Sequence, residues 1–154
     1  MGFLKSLFGR NPEESGMMRP EPVMVLESEG LTPISNPSED QVRQAVRGLS
    51  RMKPSFVALT DEVGNYVQAA GDRPWCVLER RRVEPFLHER AFQHTPVPKY
   101  NDGAKIRTGA GEITLKSDEW FLLKDAAEVF VAFLHREAES PQVQWRSLNE
   151  MFES

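Results

Sequence analysis

The side chains best suited to chemistry in this chain are three histidines, at 88, 94 and 135, and one cysteine, Cys76. No two histidines have the i, i+4 spacing that lets helical imidazoles share a metal ion. His88 and His94 are an even number of residues apart and could share one face of a strand. A single cysteine excludes an internal disulfide and a cysteine-based zinc site. We expect surface or partly buried histidines, with a site at His88 and His94 as the alternative.

Cys76 stands between Trp75 and Val77 in a strand-like run, a setting typical of a buried structural thiol. A nucleophilic cysteine would need a nearby base and an accessible, electropositive environment. The chain has no Gly-x-Ser-x-Gly elbow, no Walker loop and no dinucleotide-binding glycine motif. Adjacent acids such as Asp118-Glu119 occur in any acidic sequence and are not specific for acid–base catalysis. We therefore predict no catalytic residue, no metal and no cofactor.

Three consecutive arginines, Arg80, Arg81 and Arg82, could contact phosphate. Strand alternation sends Arg81 to the opposite face, so a solvated sheet edge is the preferred interpretation and phosphate contact the alternative. The net charge of −4 arises within residues 1–40, which hold seven acids and three bases, because residues 41–154 hold 16 of each sign. A nucleic-acid-binding domain would be net basic, so we predict no direct nucleic-acid contact.

The first eight residues are predicted to form a short amphipathic segment, with Phe3, Leu4, Leu7 and Phe8 on one helical face. Residues 9–22 are rich in Gly, Pro, Glu and Ser and predict a mobile linker. The segment is a candidate for docking on a partner, for weak membrane contact or, through Met1-Gly2 and Ser6, for N-myristoylation. No apolar run is long enough to cross a bilayer and no secretory signal is visible, so a cytoplasmic location is expected.

Residues 23–154 are predicted to form a single α+β domain with a mobile N-terminal tail. Residues 23–26 suggest a strand. A helix follows, with Asn36 as its cap, Pro37 in its first turn and Glu39 completing a capping box. Its buried face carries Val42, Ala45, Val46 and Leu49.

Three strand-like runs come next, at 55–60, 66–70 and 75–82, and their short connections predict antiparallel neighbours. A fourth strand is possible at about 86–94, and residues 95–111 are predicted to be a long loop. Further strands are expected at 113–115 and 119–122, an apolar helix at 124–137 and a short closing helix around Trp145 and Leu148. The fold class is thus a mostly antiparallel sheet packed against two main helices.

Alternation divides the strand residues between two faces of the sheet. One face carries Val57, Leu59, Val67, Ala69, Cys76 and Leu78. The other carries Phe56, Ala58, Tyr66, Gln68, Trp75, Val77 and Glu79. Both are substantially apolar, so one can pack on helices while the other needs a second cover or a partner. The predicted partner-binding residues lie on this second face and in the 95–111 loop: Tyr66, Gln68, Trp75, Glu79, Arg81, Tyr100 and Asp102.

The order of motifs over residues 34–152 resembles the Imm1 family of bacterial immunity proteins. The resemblance rests on Asn36-Pro37-Ser38 before an amphipathic helix, a strand ending in Leu59, and Tyr66-Val67-Gln68 with Gly71. It continues through Val77-Leu78-Glu79-Arg80, the Phe130-x-x-Phe133 helix, and Trp145 before Leu148. Residues 1–33 lie outside it.

The resemblance implies a cytoplasmic antidote of helix-plus-sheet α+β architecture that binds a toxin domain, often a nuclease or a nucleic-acid deaminase, and blocks its active site. It brings no catalytic residue, cofactor or metal. The alternative hypothesis is a peripheral adaptor or scaffold module that docks through residues 1–8.

Overall fold

The computed structural model describes residues 23–96, 100–109 and 111–149. The predictions for the amphipathic segment 1–8, with Phe3, Leu4, Leu7 and Phe8, and for the linker 9–22 fall outside these ranges. The elements in chain order are β1 Val25–Ser28, β2 Ile34–Ser35, α1 Glu39–Arg47, β3 Phe56–Thr60, β4 Tyr66–Asp72, β5 Trp75–Val83, β6 Phe86–Phe92, β7 Ala104–Thr108, β8 Gly111–Leu115, β9 Phe121–Leu122, α2 Leu123–Leu134 and β10 Gln144–Ser147.

The main sheet has the strand order β10-β6-β5-β4-β3-β1-β2, and every pairing in it is antiparallel. Strand β9 also joins it, through an antiparallel pairing with Trp75 and Cys76 at the start of β5. Strands β7 and β8 form a separate hairpin. The predicted α+β class, a mostly antiparallel sheet with two main helices, is confirmed.

Helix α1 begins two residues later than a cap at Asn36 with Pro37 in the first turn would place it. Ser38 is the N-cap, and it forms a reciprocal capping box with Gln41. Asn36 is instead tied to the chain before β1, since its side chain accepts a hydrogen bond from the Met24 amide at 3.0 Å. The predicted cap was therefore wrong, although Val42, Val46 and Leu49 are fully buried as expected.

The two helices cover one face of the sheet. Its inward residues are the six predicted from alternation, and all of them belong to the main core: Val57, Leu59, Val67, Ala69, Cys76 and Leu78. Helix α2 adds Leu123, Ala127 and Phe130 to that core. Outside the main core, Arg43 of α1 links the two helices through hydrogen bonds of 2.9 and 3.0 Å to Glu128 of α2.

The second face is covered in part by the β7–β8 hairpin, of which only the strand at 113–115 was predicted from the sequence. Ile106 and Leu115 of the hairpin pack with Trp120 against a smaller core: Phe56, Ala70 and Val77. The prediction of one long loop over residues 95–111 was wrong, because residues 104–108 pair with 111–115.

The closing element is a strand and not the predicted helix. Strand β10 pairs with β6 and forms one edge of the sheet, with Trp145 opposite Ala91. Strand β6 itself confirms the fourth strand expected around residues 86–94.

Candidate protein-binding site

The predicted partner-binding residues are divided among several environments. Gln68 and Glu79 are 1% and 0% exposed, and Tyr66 is 7% exposed. The expectation that this face of the sheet is open to a partner was therefore wrong for these three residues. Trp75, Arg81 and Tyr100 are half-buried, and Asp102 is exposed.

Glu79 lies at the centre of a buried polar network. One oxygen of its carboxylate accepts from both Nε and Nη2 of Arg90, at 3.0 and 2.8 Å. The other lies 3.2 Å from Nε2 of Gln68 and 3.1 Å from Nε2 of His88. A carboxylate without solvent is tolerable only when it is paired and hydrogen-bonded in this way.

The network continues through arginines to the loop before β9. Arg90 lies 3.5 Å from Glu119, and its Nη1 donates to the Thr114 carbonyl in β8. Arg146 of β10 pairs with both Glu119, at 2.8 Å, and Asp118, at 3.0 Å. These contacts tie strands β5, β6 and β10 to the segment that follows the hairpin. The buried side chains of Gln68 and Glu79 are part of this network and stabilise the fold.

Trp75 and Tyr100 meet in an aromatic cluster with Trp120. The rings of Tyr100 and Trp120 are stacked with centroids 4.1 Å apart, and Trp75 meets both edge-on. Offset and edge-on contacts of this kind stabilise a core beyond the area they bury. The cluster lies at the smaller core, where Trp75 and Tyr100 are partly buried.

Asp102 links the two segments that flank the open end of the hairpin, before β7 and after β8. Its carboxylate accepts from the Ser117 amide at 2.8 Å. Hydrogen bonding from Ser117 holds the pKa of Asp102 below its usual value. The residue is on the surface, but its carboxylate already has this internal partner.

Arg81 is oriented by two contacts at the end of β5. Its guanidinium carbon lies 4.8 Å from the centroid of the Tyr66 ring, and Nη2 donates to the Gly64 carbonyl at 3.0 Å. Gly64, with a φ of 107°, lies in a turn held by one oxygen of Asp61, which accepts from three backbone amides at 2.9 Å. The arginine is thus fixed by elements that are themselves ordered.

Arg80 makes the corresponding contact on the helix-covered face. Its guanidinium lies 4.1 Å from the centroid of the Trp145 ring and pairs with Glu89 and Glu139. The interpretation of Arg80, Arg81 and Arg82 as a sheet edge was wrong, because β5 lies between β4 and β6. All three arginines lie close to the end of an interior strand.

A cleft of 340 Å³ opens across this strand end, and we call it the strand-end cleft. Arg80, Arg81 and Arg82 line it together with Arg136, which follows α2. Part of the remaining lining is apolar and comes from β4, α2, β10 and the start of the described chain: Met24, Val67, Val129, Phe133 and Trp145. Four acidic residues also line the cleft: Asp61, Glu84, Glu137 and Glu139. The cleft combines oriented arginines, aromatic rings and an apolar wall.

The positions of Phe133, Arg136 and Trp145 in the cleft were not predicted from the sequence. Trp145 carried a usable signal, because Gln144, Trp145 and Arg146 alternate in character as in a half-buried strand. Phe133 and Arg136 carried none, since their position depends on where α2 ends relative to β5.

The three histidines and Cys76 do not line the strand-end cleft. His88 is buried in the Glu79 network, so the expectation of a surface or partly buried residue was wrong for it. His94 is exposed beyond the end of β6 and contacts Gln144, and His135 contacts Glu39 beside the helices. Cys76 is fully buried, and burial raises the pKa of its thiol. Over the described ranges, no group of three or more His, Cys, Asp or Glu side chains is placed to hold a metal ion.

Comparison with known proteins finds no matching family model, no matching curated protein and no matching solved structure. Within the part of the chain that the structure describes, no helix is long and apolar enough to span a membrane.

Proposed function

We propose that this protein is a non-catalytic immunity protein that binds and neutralises a cognate bacterial toxin domain of the nuclease or deaminase type. The observation that carries the proposal is the pair of arginine–aromatic stacks at one strand end, Arg81 on Tyr66 and Arg80 on Trp145, beside the strand-end cleft. Arginine, tyrosine and tryptophan are the residues that most often dominate the binding energy of protein interfaces.

The rigidity of these side chains supports a binding role. A long arginine side chain loses conformational entropy when a complex orders it, and that loss weakens binding. Arg80 and Arg81 are already restrained by their stacked rings and by hydrogen bonds to Glu89 and to the Gly64 carbonyl. A partner would therefore meet anchors that need little further ordering.

The resemblance to the Imm1 family adds the class of partner. The motifs that carry it, such as Tyr66-Val67-Gln68 and Phe130-x-x-Phe133, fall on β4 and α2, the elements that line the cleft. An antidote of this kind acts where its toxin acts, so the proposal includes a cytoplasmic location and a protein partner, with no direct nucleic-acid contact.

The test is protection of growing cells. The toxin domain encoded by the gene directly upstream in the source genome is expressed in a bacterial host, with and without this chain. We expect growth only when the chain is present, together with copurification of the two proteins. A neighbouring gene product that is harmless alone, or that does not bind the chain, would reject the proposal.

Matched variants connect protection to the site. Arg81→Ala and Trp145→Ala should weaken copurification and protection, whereas Arg107→Ala, on the exposed surface of the hairpin, should leave both unchanged. Circular dichroism of each purified variant checks that a loss does not arise from unfolding.

A further inference from the structure

Two exposed apolar side chains lie on adjacent loops, at the end of the sheet opposite the strand-end cleft. Met52 is 82% exposed in the loop between α1 and β3, and Leu31 is 62% exposed in the loop between β1 and β2. They are the two most exposed of the large hydrophobic side chains that the structure describes. Single apolar side chains are normal on a protein surface, but neighbouring ones mark sites of interaction.

A direct contact joins the two loops. Gly30 lies against the Lys53 side chain, since a Cβ atom on this glycine would be 2.7 Å from Cε of the lysine. The first loop is closed by the Leu31 amide, which donates to the Ser28 carbonyl at 3.1 Å. Leu31 and Met52 each directly adjoin a residue of the Gly30–Lys53 contact, so the two apolar side chains belong to one surface.

The cations on either side of Met52 lack a carboxylate partner. Arg51 and Lys53 are both exposed. Neither side chain forms an ion pair or a hydrogen bond with any residue that the structure describes. A fully exposed apolar side chain therefore stands between two uncompensated positive charges.

Two further arginines extend the positive surface. Arg73, in the turn between β4 and β5, donates to the carbonyls of Arg47 and Leu49 at 2.9 and 3.5 Å and so holds the turn against the end of α1. Arg47 is exposed and forms no ion pair within the described ranges. The pKa of Glu128 is lowered mainly by its hydrogen bonds with Arg43, and Arg47 adds only a weaker charge interaction.

The acidic side chains nearest these loops are withdrawn from the surface. Glu29 is half-buried, and one oxygen of its carboxylate accepts from the amide and the hydroxyl of Ser55, at 2.7 and 3.0 Å. Glu27 and Asp72 are half-buried within β1 and β4. These three carboxylates therefore do not neutralise the exposed cations around Met52.

The exposed charges at this end are mainly positive. Lys124 and Asp125, at the start of α2, are both exposed and offset each other. The loops and the last residue of α1 then present four exposed cations: Arg47, Arg51, Lys53 and Arg73. We call these four residues, together with Leu31 and Met52, the basic loop patch.

This combination matches an anionic membrane surface. Acidic lipid headgroups attract lysine and arginine side chains, and exposed apolar side chains enter the boundary between headgroups and acyl chains. An acidic protein would also attract the cations. Protein interfaces, however, take much of their binding energy from packed aromatic residues, and the basic loop patch contains none.

We propose that the basic loop patch attaches the protein peripherally to an anionic membrane surface. Leu31 and Met52 are inserted among the headgroups, and the four cations face the lipid phosphates and carboxylates. The strand-end cleft then faces away from the membrane, because it lies at the other end of the sheet. The inference does not rest on the proposed function, since the patch residues do not line the cleft.

The test is binding of the full-length protein to lipid vesicles, measured by cosedimentation. One set of vesicles is pure phosphatidylcholine, and the other contains about 30% phosphatidylserine. We expect the partition coefficient to be at least about tenfold higher for the vesicles with phosphatidylserine, because several cations contribute to binding. Added salt should lower this preference, since it screens the charges.

Variants assign the binding to individual residues. Arg51→Gln and Lys53→Gln should each lower the partition coefficient about fivefold, and Met52→Ser should lower it by a similar factor. Arg82→Gln and Val63→Ser are the matched controls, because they remove an exposed cation and an exposed apolar side chain at the opposite end of the sheet. Both controls should bind as the wild-type chain does, and circular dichroism verifies that every variant is folded.

Several results would overturn the inference. Equal partition onto the two kinds of vesicle, or no binding at about 10 mM lipid, would reject it directly. Equal losses in Arg82→Gln and Arg51→Gln would show a diffuse charge effect. Binding that is lost in the double variant Phe3→Ser with Phe8→Ser but retained in Met52→Ser would assign the membrane contact to the N-terminal segment. Binding to soluble polyglutamate but not to vesicles would indicate an acidic protein as the partner.

Discussion

The guanidinium of Arg80 lies 4.1 Å from the centre of the Trp145 ring and thereby joins two strands, β5 and β10, that are not neighbours in the sheet. Strand β6 separates them, so the contact crosses its helix-covered face. Glu139 completes the arrangement, because it accepts from the Trp145 indole at 2.7 Å and pairs with Arg80. This unit holds the edge strand β10 against the sheet.

Removing either member of the stack should loosen the edge strand. We expect Arg80→Ala and Trp145→Ala each to lower the free energy of unfolding by about 2 kcal/mol, which combines a lost cation–π contact with lost packing of a partly buried ring. Chemical denaturation measures the change. Arg82→Ala is the matched control on the same strand and should change stability by less than about 0.5 kcal/mol. Equal effects of Arg80→Ala and Arg82→Ala would show that the stack contributes nothing.

Substitutions of Glu79 and Arg90, which form a buried ion pair, should have strongly non-additive effects on the free energy of unfolding. Arg90→Met leaves a carboxylate without its charged partner and should cost about 3–5 kcal/mol. The double variant Glu79→Leu with Arg90→Met removes both charges and should be more stable than Arg90→Met alone. A double-mutant cycle measured by denaturant unfolding tests this, and additive single effects would contradict it.

Tyr66 should ionise only at strongly alkaline pH. Burial raises the pKa of Tyr66 to about 12, the nearby charge of Arg81 lowers it and that of Glu79 raises it. The chain has two tyrosines, so Tyr100→Phe leaves Tyr66 as the single phenol, and its phenolate absorbance can be followed directly. We expect a titration midpoint near 12 in the folded variant.

The same shift makes a prediction for stability. An unfolded tyrosine ionises near pH 10, so the unfolded state loses its proton first as the pH rises. The contribution of the neutral Tyr66 phenol to the free energy of unfolding is fully present below pH 10 and is lost between about pH 10 and 12. A midpoint near 10 in a chain that still gives a folded circular-dichroism spectrum would refute both statements.

Cys76 should be inert in the folded protein. It is 0% exposed in the main core, and burial raises the pKa of its thiol, so little thiolate is present to react. A thiol reagent such as Ellman's disulfide should label it only under denaturing conditions. Ser147→Cys, on the exposed surface of β10, provides the control that labels at once in the native state. Labelling of Cys76 at the same rate as this control would contradict the buried position.

Much of the main sheet could be predicted from the sequence because its central strands have simple local signals. Val57 and Leu59, or Cys76 and Leu78, alternate strictly, and short turns fix their antiparallel order. In the hairpin, only β8 had such a signal, and residues 104–108 did not. Ile106 is the only strongly apolar residue of β7, and this strand forms because the second face of the sheet supplies a surface to cover.

The chain around Trp145 misled the prediction in another way. Trp145 and Leu148 are three residues apart, which is typical of a helix, and the opposing Ala91 of β6 decides in favour of a strand. Tertiary pairing of this kind overrides short local periodicity.

The candidate site depended on information that no local pattern contains. Arg81 was named from the sequence, but its role depends on the turn at Gly64 and on the ring of Tyr66. Gln68 and Glu79 were wrongly assigned to an exposed surface. Their burial results from the register of β5 with β6, which places Arg90 opposite Glu79, and no local pattern contains that register.

The start of α2 is anchored by β9, which pairs with the first residues of β5, and by the bond from the Leu123 amide to the Pro74 carbonyl. From there the 12-residue helix extends about 18 Å. The five residue steps of β5 from Cys76 to Arg81 extend about 17 Å. Helix α2 and strand β5 therefore extend over similar lengths from a common start, and the strand-end cleft lies between their far ends. One inserted residue in α2 would change the cleft's width and rotate Phe133 by about 100°, so the length of this helix sets the shape of the cleft.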